Sequence, residues 1–188
     1  VNTKLRLALF LVVALVQLAV AGAAVYRSEL ALRTGEAFRF RIQPVDPVDA
    51  FRGRYVAVRF AIDSAPVAEG TTVRPRKPVF IPIEVGNDGY AVFGSADIEA
   101  PERGAYLRLR AGVVTPDEEG KMHVWVAMPF RRFYMSEKLA PEAERAVWTG
   151  PRGRREASVS VRIRDGVGVI EELYIDDVPI HQWLAENR

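Results

Sequence analysis

The chain of 188 residues contains no cysteine. That removes disulfides, thiol catalysis, thioether lipid anchors and thiolate metal sites together. Histidine is nearly absent too. The two present, His123 and His181, are far apart and show neither H-x-H nor H-E-x-x-H spacing, so a zinc centre has no ligand set. There is no glycine-rich phosphate loop of either the G-x-x-x-x-G-K-[ST] or the G-x-G-x-x-G type, and the sequence implies no cofactor. Excess charge is also lacking. Residues 1–25 carry Lys4 and Arg6 and no acid. The remaining 24 basic residues therefore match the 24 acidic ones, and nucleic-acid binding, which needs a concentrated basic face, is not expected.

Long apolar runs are missing everywhere except at the start. LALFLVVALVQLAVAGAAV, Leu7 to Val25, has one polar member, Gln17. As a helix it reaches about 28 Å, close to a hydrocarbon core of about 30 Å. Lys4 and Arg6 precede it, as they would in a signal peptide or a signal anchor. Ala19-Val20-Ala21 and Ala21-Gly22-Ala23 resemble cleavage sites, but the run exceeds the usual h-region of about 15 residues. The expectation is a retained anchor over 1–28 and an extracytoplasmic β-rich domain over 29–188.

Past Gly35 the pattern is that of β-structure. Ala37 to Ile42 (AFRFRI) alternates apolar and charged residues, the period of a half-buried strand. Tyr55 to Ile62 is rich in strand formers, with Val56, Val58 and Phe60 on one face. Val79 to Val85 continues the series, and its Pro82 points to an edge position. Gly86-Asn87-Asp88-Gly89 reads as a hairpin turn, and Asp165-Gly166 as another. YLRLRAGVV (106–114) and MHVWVAM (122–128) pair across Pro116–Gly120. Ser136 to Trp148 is expected to be helical, stopped by Gly150-Pro151, and a short helix is expected near Trp183 and Leu184. The fold class expected is mainly β: antiparallel sheets, as a sandwich or partly open barrel, with one or two short helices after a single N-terminal transmembrane helix.

The segment PVDPVDAFRGRYVAVRF, Pro44 to Phe60, concentrates the candidate functional residues: Asp46, Asp49, Arg52, Gly53, Arg54 and Tyr55. Two readings stand. In one, Asp46-Pro47, an Asp49–Arg52 pair and Gly53 make a self-supporting turn. In the other, the carboxylates and guanidiniums bind a lipid headgroup, a cation or a partner chain. A Ser–Lys dyad is not available. The only Ser between Tyr26 and Gly53 is Ser28, and Arg108 and Arg110 stand on the strand where a Lys base would be needed. His123 reads as a partly buried, hydrogen-bonded strand residue, and Phe130, Phe133, Tyr134 and Trp148 as packing residues. Glu171, Glu172, Asp176 and Asp177 read as a solvated acidic rim.

The PVDPxDxFRGxY signature after one hydrophobic segment resembles the GDYXXLXY family of membrane-anchored bacterial proteins. The motif Gly-Asp-Tyr-x-x-Leu-x-Tyr falls on Gly53 to Phe60. Gly53 and Tyr55 match, while Arg54, Val58 and Phe60 stand in for Asp, Leu and Tyr. RRFYMSE, PEAERAV and ELYIDDVPI also look like the family. The resemblance implies a single-span protein of the bacterial inner membrane, with the bulk of the chain on the periplasmic or extracellular side. It also implies an accessory role beside a multi-pass membrane partner, and no reaction. The competing expectation is an envelope enzyme or ligand-binding domain acting on a lipid or cell-wall polymer.

Overall fold

The computed structural model describes residues 3–43, 55–136, 139, 142–143 and 156–187, with the backbone alone for Tyr55. The apolar run lies in one continuous helix, α1 (Thr3–Thr34), long and apolar enough to cross a membrane. Its apolar side chains are exposed almost throughout; Ala31, in the last turn, is the one that is buried.

The strands follow in order: β1 (Glu36–Gln43), β2 (Tyr55–Ala57), β3 (Arg59–Phe60), β4 (Ser64–Pro66), β5 (Pro78–Val85) and β6 (Ala91–Phe93). Then come β7 (Tyr106–Pro116), β8 (Met122–Val126), β9 (Arg132–Tyr134), β10 (Ala157–Arg164), β11 (Val167–Ile175) and β12 (Val178–Pro179). A short helix α2 (Ile180–Glu186) buries Ile180 and Leu184 and half-buries Trp183. Two five-stranded sheets form, in the orders β12-β11-β10-β1-β3 and β4-β8-β7-β5-β6, and β2 pairs separately with β9. Every ladder between named strands is antiparallel. A Leu107–Gly166 bridge ties β7 to the β10–β11 turn, so the sheets wrap into a nearly closed, barrel-like arrangement.

Alternation explains why these segments are strands. On β1, Phe38, Phe40 and Ile42 are buried while Arg39 and Arg41 face the other way. Val79, Ile81 and Ile83 of β5 meet Leu107 and Leu109 of β7 in the same core. The turns are set by residues that tolerate positive φ. Asp165 (49°) and Gly166 (79°) are the two central residues of the β10–β11 turn, the signature of a type I′ hairpin. In the β7–β8 turn, the Asp117 carboxylate accepts the Glu119 and Lys121 N–H groups at 2.9 and 2.8 Å.

Three expectations need correction. Pro82 does not lie on an edge, because β5 is flanked by β7 and β6. Its missing N–H is tolerated because the ladder to β6 covers only Ile83–Val85. At the level of Pro82 the neighbour is Gly94, which donates its N–H to the Pro82 carbonyl (2.9 Å). Tyr55 to Ile62 is not one strand: it divides at Val58 into β2, held by β9, and β3, held by β1. The inward face is as expected, with Val56, Val58 and Phe60 all buried. Tyr134 is 67% exposed rather than packed in the core, since its outward position on β9 alternates with buried Phe133. Of the helix expected over 136–148, Glu142 and Ala143 are helical and Ala143 is buried; Trp148 and the basic run 152–155 lie outside the described residues.

Candidate functional site

Of the residues singled out in the sequence, Asp46, Asp49, Arg52, Gly53 and Arg54 lie outside the described residues. Tyr55 opens β2, where its backbone is in register with Tyr134 of β9. The motif therefore leads directly into a two-stranded ribbon. That ribbon separates a surface groove on one side from a pair of hollows on the other.

On one side a groove of about 400 Å³ is bounded by Ala57, Arg59, Asp63, Trp125, Met128 and Arg131. The Val58 N–H donates to the Arg131 carbonyl (2.9 Å), and the Val126 N–H to that of Asp63 (2.8 Å), which fixes its walls. The Trp125 indole N–H donates to the Thr115 hydroxyl at 3.1 Å, holding a half-exposed ring at the rim. Two guanidiniums, one carboxylate and an aromatic rim can hold a polar chain or an anionic group.

On the other side, two hollows of about 770 and 700 Å³ share Pro129, Phe130 and Gly168 and run along α1. Gly168 is required here, because an added Cβ would lie 2.5 Å from the Phe130 ring and 2.9 Å from Leu107. Phe130 packs edge-on to Phe60, which packs edge-on to Phe40, so the motif's last residue is tied to both the core and the groove.

Sequence reasoning missed an ionic lattice on the outer face of β1. Arg41 pairs with Asp88 of the β5–β6 turn and with Glu156 at 2.9 Å, and lies 4.1 Å over the Tyr90 ring. Arg39 pairs with Asp177 (2.9 Å), donates to the Ser158 hydroxyl (3.1 Å) and lies 3.9 Å over Tyr174. The only sequence signal was the alternation placing Arg39 and Arg41 on one face. Hydrogen bonding to Glu156 raises the Arg41 pKa further above its ordinary value. The Tyr90 N–H, and then Arg41, hold the Asp88 carboxyl below the usual range. Burial, with the Glu156 charge behind it, pushes the Tyr90 hydroxyl up. Nearby, the Arg162 guanidinium and the Ser160 hydroxyl lower Glu171. These are committed pairs in a structural network, and Asp176 and Asp177 belong to its turn rather than to a site.

His123 is half-buried, and its Nε2 lies 3.1 Å from Asp117. The Asp117 carboxyl is lowered first by the Lys121 N–H, then by Glu119 and His123. The pair closes a turn. His181 is exposed on α2. Among the described residues no group of three or more acidic or His side chains gathers to hold a metal.

A single long apolar helix running into an antiparallel β domain fits a single-pass, membrane-anchored protein. The chain belongs to the GDYXXLXY family: the model of that family, described as GDYXXLXY protein, matches residues 17–173. No curated protein and no solved structure matches the chain.

Proposed function

We propose that this protein is a non-catalytic accessory subunit of a bacterial inner membrane. Residues 1–28 anchor it, residues 29–188 form an extracytoplasmic domain, and the 44–60 segment is its contact surface for a multi-pass membrane partner.

The observation that carries this reading is the junction between α1 and the sheet. The helix runs without interruption through both small-residue cleavage motifs and on to Thr34. Its last turn then docks directly on β10 and β11: Ala31 is buried, the Gly35 N–H donates to the Ala31 carbonyl (2.8 Å), and Arg162 donates to the Gly35 carbonyl (3.2 Å). A domain joined to its anchor this way presents one fixed face along the membrane. The ribbon that begins at Tyr55 borders the groove running along α1. That is a geometry for contacting a neighbour in the same membrane. The described grooves, with guanidiniums beside apolar walls, support a binding role.

The test is a mild-detergent pull-down of the full-length protein from its own membranes, read by mass spectrometry. A stoichiometric multi-pass partner is expected. Recovery of the protein alone overturns the subunit reading. Alanine at Asp46, Asp49 and Arg52 should reduce partner recovery while leaving thermal melting unchanged; unfolding with partner binding intact would make the segment a structural turn.

A further inference from the structure

The groove along α1 has a chemistry of its own. Its position follows from the helix. The apolar run ends at Val25, and exposed Tyr26 follows at the place where interfacial aromatics collect. Arg27 stands about 3 Å further along the axis and Leu30 about 7.5 Å, at a rise of about 1.5 Å per residue. The headgroup layer of one leaflet is roughly 5–7 Å deep. With α1 across a bilayer, Arg27 therefore lies among the lipid headgroups and Leu30 at their outer edge.

The facing wall brings two more guanidiniums to the same hollow. Arg108 on β7 is held there because its N–H donates to the Gly166 carbonyl at 3.0 Å. Gly166 has to be glycine: its φ is 79° and an added Cβ would lie 2.8 Å from the Arg108 Cβ. Arg164, at the end of β10, donates to the Thr34 hydroxyl of α1 and through Nε to Asp165 at 3.2 Å. Asp165 offsets part of that charge. Arg27 and Arg108 have no ion pair among the described residues, and Arg108 has only a distant contact with the Phe80 ring, 5.9 Å to its centroid. Phe130, Val167 and Leu30 supply the apolar surface between them. Unpaired guanidiniums above an apolar floor, with Arg27 at headgroup depth, complement a lipid phosphate with its first acyl carbons.

We infer that the groove between α1 and the β10–β11 turn is a binding site for the headgroup of an anionic phospholipid, held by Arg27 and Arg108 with Arg164 at its edge. The site uses the anchor and does not depend on the proposed partner.

Native mass spectrometry of the full-length protein in detergent tests it, with phosphatidylglycerol and phosphatidylcholine of matched acyl chains as probes. The wild-type chain should bind one phosphatidylglycerol at least about tenfold more tightly than phosphatidylcholine, given roughly fivefold per interfacial guanidinium. Arg27→Gln and Arg108→Gln should each weaken it about fivefold, and the double variant should lose the preference. Arg74→Gln, in a separate hollow beside Thr71 and Glu99, should change nothing. Equal binding of the two lipids, a double variant that keeps the preference, or an equal loss in Arg74→Gln would overturn the assignment. So would displacement of the lipid by millimolar inorganic phosphate, which would mark a free-anion site. Flotation of the variants with vesicles reports membrane insertion separately, so a failed anchor and a failed lipid site give different results.

Discussion

The ring of Phe60 stands edge-on to that of Phe130, with centroids 5.4 Å apart and planes at 85°. On its other side Phe60 meets Phe40 in the same way, at 5.5 Å and 86°. The residue that occupies the motif's last position thus joins the centre of the core to the wall of the groove. Phe60→Ala should cost about 3–5 kcal/mol, from lost transfer energy and the cavity left behind. A double-mutant cycle with Phe40→Ala should give a coupling of about 0.5–1.5 kcal/mol. Urea titration followed by circular dichroism measures both. A coupling near zero would mean the rings only fill space.

Gly35 tests the rigid junction. A Cβ there would sit 2.4 Å from the Ala31 carbonyl oxygen and 2.9 Å from that of Ile163, both backbone atoms that cannot turn away. Gly35→Ala should therefore destabilise the domain by about 1–3 kcal/mol, as other overpacked sites do. Gly22→Ala, within α1 and with nothing within 4 Å, should leave the melting temperature unchanged. Equal behaviour of the two variants would argue against a tightly docked helix end.

Acid should unfold the domain in a defined window. Asp88, Asp117 and Glu171 all have folded-state pKa values below their ordinary ones. The unfolded chain then binds more protons than the folded one at low pH, so stability is full above about pH 5 and falls as pH drops through about 4. Thermal melts at pH 7, 5, 4 and 3 should be flat across the first two and decline across the last two. Glu171→Gln, which removes one of these protonation sites, should make the decline shallower. A melting temperature that holds at pH 3 would contradict the role given to these carboxylates.

Protease accessibility decides the orientation proposed for the domain. In spheroplasts with an intact inner membrane, added protease should remove the 29–188 region. Cleavage only after that membrane is opened would place the domain in the cytoplasm.

Much of the strand inventory was legible because β-structure writes its burial into alternation. Phe38, Phe40 and Ile42 declare a core face within six residues, and Val56, Val58 and Phe60 do the same even though their strand divides. The Asp165-Gly166 turn was legible because few residues accept its backbone angles. Pro82 misled because an edge position and a broken neighbouring ladder satisfy a missing N–H equally well, and the second depends on Gly94, twelve residues away. The groove along α1 was not legible at all. Arg27, Arg108 and Arg164 meet only through tertiary packing, and each looks in sequence like an ordinary solvated charge.

The apolar helix long enough to cross a membrane and the helix that docks on the sheet are one object of 32 residues, about 48 Å long. Because the end of α1 is bonded to the sheet through Gly35, the angle of α1 in a bilayer is also the angle of the domain above it. Bilayer thickness sets that angle, because an apolar stretch tilts until its length matches the hydrocarbon. The domain then acts as a pointer on a shaft. A thinner bilayer leans it toward the surface, a thicker one stands it upright, and the reach of the ribbon at Tyr55 toward anything beside it varies with the membrane in which the shaft is set.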